Sequence, residues 1–487
     1  MTQPPALTSA TPRPHRPAGV WSIPAFTVSA TALGFAIHQH DGEYSPLALI
    51  LLTLSIVACA IGVIFFGKPS PLPTTRRKSD LLAAALALQF IALFILWPVS
   101  VDQREQYRSI QNHVIYLYLT AVAAMALLCG VLDLPKMRRF WFPALLLFHS
   151  MLGFWMVRSA PLPHIDVWYF QEDGPSALLH GHDPYDAAEA RFADIYQSTH
   201  EGHQRVYGQG MVIDDTLQFG FPYPPISLFC STIGFLIGSD TRYAQAVALT
   251  LAGMLIGYCR PGRFPKLAAA LFLFTPTEWF VLGRAWTEPF VVMFLAAIVF
   301  CASRKIRGLL PVVLGLFLAS KQYLAFAVPL SFLLLDDFRW RQKESWIAWS
   351  KLLIGAAIAA AVVTLPMALW NWRAFWFSTV TVQAKAPFRW DALSYLVWIG
   401  FHVDSKYTSW VWLSFAAAVL AIVLSIRKVR SGPGGFAAAL ALTYMVFIAL
   451  NKQAFCNYYF FVIGCLCCAV AAFLPHTKGE VECYTGA

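Results

Sequence analysis

Charge is what this sequence has least of. Only 13% of its 487 residues are Asp, Glu, Lys or Arg, against 58% hydrophobic, and the mean hydropathy is +0.58. A soluble domain of this size cannot clothe its surface with so few charges. Short alternating segments of the kind that build an outer-membrane barrel are missing too. So is a disulfide framework. Ten cysteines are present, but Cys59, Cys129, Cys230, Cys259, Cys301, Cys465, Cys467 and Cys468 lie inside apolar runs, where cysteine behaves as a small hydrophobe. No His or acid accompanies Cys465-Leu-Cys-Cys468, which argues against a metal knuckle. No repeat of the 140–225 pattern recurs in the second half, unlike many transporters. The net charge of +10 comes from loop lysines and arginines and does not point to nucleic acid.

What is present is a series of apolar runs separated by short polar loops, which predicts an all-α polytopic membrane protein of roughly 11–13 spans. Residues 1–20, Pro-rich with Arg13 and Arg16, read as a disordered tail. Residues 21–475 read as one membrane domain and 476–487 as a second tail. Spans are predicted near 21–37, 46–66, 80–101, 113–132 and 140–158. Arg76, Arg77 and Lys78 mark one intervening loop, and Lys136, Arg138 and Arg139 another. The loops of opposite parity, 38–44 and 102–112, are mixed or acidic. By the positive-inside rule the basic loops and both termini are cytoplasmic. Residues 222–282 do not parse cleanly. The runs 222–238, 243–258 and 267–277 are short, and span counting puts Arg260, Arg263 and Lys266 outside, against their charge. A partly re-entrant region is expected there. A later span falls near 289–301, before the basic loop Ser303–Gly308; another rises to Ser320–Tyr323, a short run returns to Asp336, and further spans fall near 345–368, 410–426, 436–450 and 456–473.

The exception to the scarcity of charge is 159–222. It holds ten carboxylates (Asp166, Glu172, Asp173, Asp183, Asp186, Glu189, Asp194, Glu201, Asp214 and Asp215) opposed only by Arg191 and Arg205. Loop parity puts this acidic island outside the cytoplasm. Asp186-Ala-Ala-Glu189 reads as a capping box. Phe192, Ile195, Tyr196 and Thr199 follow at helical spacing, predicting a juxtamembrane helix. Phe219-Gly-Phe-Pro-Tyr-Pro-Pro225 opens the next helix with proline in its first turn. Parity brings Gly283–Pro289, Lys321-Gln322, the loop 371–409 and Asn451–Tyr459 to the same face. Such convergence is the pattern of an active site at the membrane boundary.

Asp166 follows a span end at Arg158 by eight residues, which places it near the bilayer surface. Beside Trp168, Tyr169 and Phe170 it is partly desolvated, and its pKa rises toward that of a useful base. The plain alternative is a loop acid next to an aromatic belt. Lys321 and Lys452 lie in apolar sequence, each followed by glutamine (Gln322, Gln453). They suit a phosphate, or else snorkel to the interface. Glu288, at the mouth of a span, is either a substrate contact or the partner of Arg284. His164, His180, His182, His200 and His203 match no standard ligand spacing, so a divalent metal is not supported and no cofactor is expected.

Taken in order, Asp166, the aromatic run after it, Gly181-His-Asp-Pro-Tyr185 and Tyr223-Pro-Pro225 resemble the GT-C glycosyltransferases. The likeness is to the polyprenol-phosphate-mannose-dependent mannosyltransferases of family 87. Leu282-Gly-Arg-Ala-Trp-Thr-Glu288 and Ser320-Lys-Gln-Tyr323 fall where that family has a Gly-Gln-like and a Lys-Pro-Tyr-like turn. Here Gln322 stands in place of the usual proline, and the first turn is longer. The resemblance covers roughly 140–340. It implies a GT-C-like bundle in a bacterial inner membrane, with a long first-half periplasmic loop carrying juxtamembrane helices. It further implies transfer of a sugar, mannose in the named family, from a polyprenyl-phosphate donor to a glycolipid, polysaccharide or protein acceptor, with inversion. Asp166 would be the general base, and Lys321, Lys452 and Arg284 would hold the donor phosphate. His164, Tyr169, Asp183, Tyr185, Tyr223, Glu288, Gln322, Gln453 and Tyr458 would contact substrate. Asp183 also reads as the acid that closes its own turn. The competing reading is a transporter or a flippase for lipid-linked saccharides, and a third is a structural membrane subunit.

Overall fold

The computed structural model describes residues 19–66, 69–70, 75–95, 110–196, 206–336 and 338–473. Residues 1–18 of the first predicted tail, the whole second tail, most of the loop 102–112, Thr199, His200, His203 and the side chains of Arg76, Arg77 and Lys78 lie outside the described residues. The protein is all-α, with 20 α-helices among the described residues and two short antiparallel ladders. Among the described residues three helices are long and apolar enough to cross a membrane: Pro46–Ile64, His113–Val131 and Lys343–Trp370. Several shorter apolar helices accompany them. The helix Lys343–Trp370 turns its apolar side chains outward, leaving Ile354, Ile358, Val362, Leu365 and Leu369 exposed. Water would penalise such a surface and lipid would not.

The centre of the bundle is the helix Cys456–Ala471, in which every residue but Tyr458 is buried. It packs against Ser22–His38, Arg263–Leu273, Glu288–Ser303 and Pro433–Ala449. The cysteines it contributes fill space in this core and stay free. Small residues make the arrangement possible, since alanine, glycine and cysteine let helix axes approach closely.

The region 222–282 differs from the expected re-entrant fold in a way that explains the conflict over its charges. The helix Pro225–Gly238 starts and ends at the island. The helix Asp166–Leu179 packs along it, and past its end the Thr241 N–H donates to Glu172 Oε1 at 2.7 Å. Counting it as a span inverts everything after it. The helix Arg242–Tyr258 then runs to the opposite end. There Arg304 donates to the Tyr258 carbonyl at 2.6 Å, and Arg263 donates to the Val131 carbonyl at 3.3 Å. Arg260, Arg263 and Lys266 therefore share the end that carries Lys136, Arg138 and Arg139. The return leg is broken at Thr275-Pro276-Thr277, between Arg263–Leu273 and Glu278–Gly283. Proline has no N–H to continue the ladder, and the buried break is held by side chains. His149 Nε2 meets Glu278 Oε1 at 2.7 Å, and its Nδ1 meets Thr250 Oγ1 at 2.9 Å.

The predicted juxtamembrane helix over Phe192–Thr199 is not formed in the described part. Only one turn, Ala187–Ala190, exists, with the Ala188 N–H donating to Asp186 Oδ1 at 2.9 Å. Glu189 takes the Asp183 N–H at 2.6 Å instead of closing the capping box. Arg191 adopts a left-handed backbone, φ 46°, and the chain turns to pair with 216–217: the Leu217 N–H donates to the Phe192 carbonyl at 2.9 Å. Phe192 then packs on Phe170 in a small aromatic core of the island, so its spacing serves two sites, not one helical face.

The island is strapped to the loop 371–409 at Gly220. Its N–H donates to Ser378 Oγ at 2.8 Å, and that hydroxyl donates to the Tyr185 carbonyl at 2.9 Å. A Cβ at Gly220 would stand 2.3 Å from the Tyr185 carbonyl carbon. Gly220→Ala should therefore lower stability by about 1–3 kcal/mol, the usual range for overpacking. Gly308→Ala, with nothing within 4 Å of its Cβ, should be neutral. Thermal unfolding of the two purified variants in detergent checks the contrast.

Candidate active site

A cavity of about 550 Å³ opens at the island end of the bundle. Asp166 lines it because the chain cannot stay helical past Ser159: Pro161 and Pro163 intervene, and the helix restarts at Asp166 after an extended Ile165. The carboxylate thus sits in a first turn, where the helix dipole and free N–H groups favour negative charge. Oδ1 accepts the Val167 N–H at 2.8 Å, and Oδ2 accepts the Tyr207 hydroxyl at 3.3 Å. The Asp166 N–H donates to Tyr196 Oη at 3.3 Å. Burial pushes the carboxyl above the usual carboxylate range, opposed by the Val167 N–H, the charge of Arg389 and the Tyr207 hydroxyl. Burial, reinforced by the charge of Asp166, also pushes both phenols up. Tyr207 therefore stays protonated and acts as a donor to Asp166.

Two guanidinium groups share the lining. Arg389 pairs with Asp391 through Nε–Oδ1 at 3.0 Å and Nη2–Oδ2 at 2.7 Å, and lies 4.8 Å over the Phe455 ring. Arg284 follows the second half of the broken leg and lies 5.4 Å over Phe280. The first loop adds His40, Asp41 and Glu43 to the lining. It is tied in where the Tyr44 N–H donates to the Asp391 carbonyl at 2.8 Å.

Of the residues singled out in the sequence, His164, Asp166, Tyr223, Arg284, Gln453 and Tyr458 line the cavity. His164 is exposed at the rim, edge-on to Tyr196. Lys321 and Glu288 lie beneath the floor as a buried ion pair at 3.2 Å. The Lys321 ammonium also sits 4.1 Å from the Tyr223 ring centroid and 5.9 Å from that of Tyr458. Glu288 thus takes Lys321, not Arg284, as its ion-pair partner. Lys452 donates to the Ala384 and Ala386 carbonyls at 3.0 and 2.5 Å. Gln322 donates to the Pro222 and Thr379 carbonyls at 2.6 and 2.9 Å. Both brace the wall. Asp183 Oδ1 accepts the Tyr185 N–H at 2.9 Å, and Tyr185 donates to the Tyr223 carbonyl at 3.0 Å. These two hold the turn that supports Tyr223, and burial raises Asp183 to about 6. Tyr169 packs edge-on against Trp168, away from the lining.

Tyr196, Tyr207, His40, Asp41, Glu43, Asp391 and Asn457 line the cavity without having been singled out. The one signal for the first loop was its acidic character beside a span end, and nothing local tied it to Asp166. Among the described residues no three His, Cys, Asp or Glu side chains group as a metal set.

Lys321→Met would leave the Glu288 charge buried and alone, which typically lowers stability by about 3–5 kcal/mol. The double variant Lys321→Met/Glu288→Gln should recover most of that loss. Thermal midpoints of the three proteins decide between a buried pair and a pair of separable surface groups.

No family model matches the chain, and neither a curated protein nor a solved structure matches it.

Proposed function

We propose that this protein is a GT-C-type glycosyltransferase of a bacterial inner membrane. It moves a sugar, mannose in the first instance, from a polyprenyl-phosphate donor to an acceptor outside the cytoplasm. The observation that carries the reading is Asp166, a carboxylate poised at a helix start in a cavity that also presents Arg284 and Arg389. In this reading the chain crosses the membrane about fourteen times, above the 11–13 expected, because Arg242–Tyr258 and the broken leg 263–283, in the stretch expected to be partly re-entrant, each count as one crossing. Exposed Trp372, Trp376, Trp390, Trp398, Trp410 and Trp412 form an aromatic belt at the island end, as membrane interfaces favour.

The chemistry follows from the groups present. The donor phosphate meets Arg284 and Arg389, which suit a bidentate anion better than a point charge would. Asp166 takes the proton of the acceptor hydroxyl as that oxygen bonds to the anomeric carbon and the polyprenyl phosphate departs. One displacement inverts the configuration. Lys321 and Lys452 act from behind the wall, setting the positions of Tyr223 and of the segment 384–386. The acceptor class is a glycolipid, polysaccharide or protein.

Membranes holding the protein, incubated with radiolabelled polyprenyl-phosphate mannose, should yield a labelled product. Asp166→Asn should fold and bind donor but lose about 10²–10⁴-fold in rate. Absence of transfer from every polyprenyl-phosphate sugar offered would end this reading.

The active form of Asp166 is the carboxylate, so the rate should fall as pH drops through its raised pKa. Tyr207→Phe removes a hydrogen bond that favours the charged form. The acid limb of the rate profile should therefore move to higher pH. A limb that stays in place would show that another group sets it.

A further inference from the structure

We propose that the end opposite Asp166 carries a site for one anionic phospholipid; the argument rests on the membrane reading but not on the sugar chemistry. A cavity of about 610 Å³ lies there, and among the described residues its charged lining consists of Arg339 and Arg430. Both arginines are exposed. The site is held together by the turn before the helix Pro433–Ala449. The Gly432 N–H donates to the Leu333 carbonyl at 2.6 Å. Gly435 lets the Arg430 backbone fold over the helix start, since a Cβ there would stand 2.0 Å from the Arg430 carbonyl oxygen. The start of that helix thus lines the same cavity as the two arginines, and its positive dipole end adds to their attraction for an anion.

The walls say that the anion belongs to a lipid. Phe332, Phe338 and Trp340 pack on one another with centroids 5.0–5.1 Å apart, and Trp340 is 50% exposed. Ile426, on another wall, belongs to the helix Trp412–Lys428, which turns Phe415, Val419, Leu420 and Val423 outward. Acyl chains can lie along that stripe while the phosphodiester meets the arginines. A free phosphate has no use for it. Basic pockets between spans on the cytoplasmic side bind anionic headgroups for this reason, and guanidinium pairs favour phosphate geometry.

The test uses the full-length protein in nanodiscs of phosphatidylcholine alone or with phosphatidylglycerol. Native mass spectrometry counts retained lipid, and thermal unfolding reads stability. Wild type and Arg341→Gln, an exposed arginine at the same end, should each retain one phosphatidylglycerol and show a raised midpoint. Arg339→Gln/Arg430→Gln should lose both effects. Arg339→Lys, which keeps the charge, should keep part of the retention and stands in if the double variant does not purify. Inorganic phosphate and soluble glycerophosphate should shift nothing. The proposal falls if the double variant holds phosphatidylglycerol like wild type, if Arg339→Lys standing in for it retains none, if the two lipids act alike, or if phosphate alone reproduces the shift. Because lipid retention is read without turnover, failure here leaves the transfer experiment untouched.

Discussion

An ion taken among these helices loses several kcal/mol of hydration unless a counter-ion meets it there, and the places where that happens organise the molecule. Arg242 joins Asp240 at 2.6 Å and also reaches the Pro161 carbonyl. Lys321 meets Glu288 and Arg389 meets Asp391, while the Glu278 carboxyl is hydrogen-bonded to the His149 ring. Arg242, Glu278 and Glu288 are each the first residue of a helix, and Lys321 is the cap of a 3₁₀ turn. The pairs sit where regular backbone hydrogen bonding stops. For Glu288, the free N–H groups of a helix start add to the counter-ion. Chain breaks and buried charges thus stabilise one another.

That arrangement is also what makes a cavity at the island end. The broken leg brings Arg284 into the cavity that Asp166 lines, and the Gln171 and Gln245 amides fasten the turn after it through the Ala285 carbonyl. The Lys321–Glu288 pair supports the floor from below. The strap Tyr185–Ser378–Gly220 holds the island against the late loop. Asp166 gains its raised pKa from this enclosure, and its accessibility from being at the edge of it. Under the proposed function, a carboxylate so placed, in a cavity shared with two guanidinium groups, meets what a lipid-borne anionic donor and an external hydroxyl both require.

The pattern of apolar runs, the acidic island and the clustering of positive loops were all legible before any coordinates, because hydropathy and charge act residue by residue. Asp166, Tyr223, Arg284, Gln453 and Tyr458 reach one cavity as loop parity implied. The helix Pro225–Gly238 could not be placed from sequence, and 222–282 was expected to be partly re-entrant, because a short apolar run looks the same whether it enters the membrane or lies against an amphipathic neighbour. The short helix after Asp186 was overextended because Phe192 and Tyr196 share a helical spacing by coincidence, each fitting a different partner.

What the chain decides alone is therefore where it is apolar, where it is acidic, and which loops share a face. What only the tertiary structure decides is which polar group meets which. Lys321 and Lys452 look alike in sequence, each in an apolar setting and followed by glutamine. In the fold one is paired with Glu288 and the other with two backbone carbonyls. Tyr196, Tyr207 and the first loop reach Asp166 across long stretches of chain, and no local spacing encodes that. The reason is the short range of hydrogen bonds and desolvation: they act over a few ångströms, and the neighbours that supply them are set by packing.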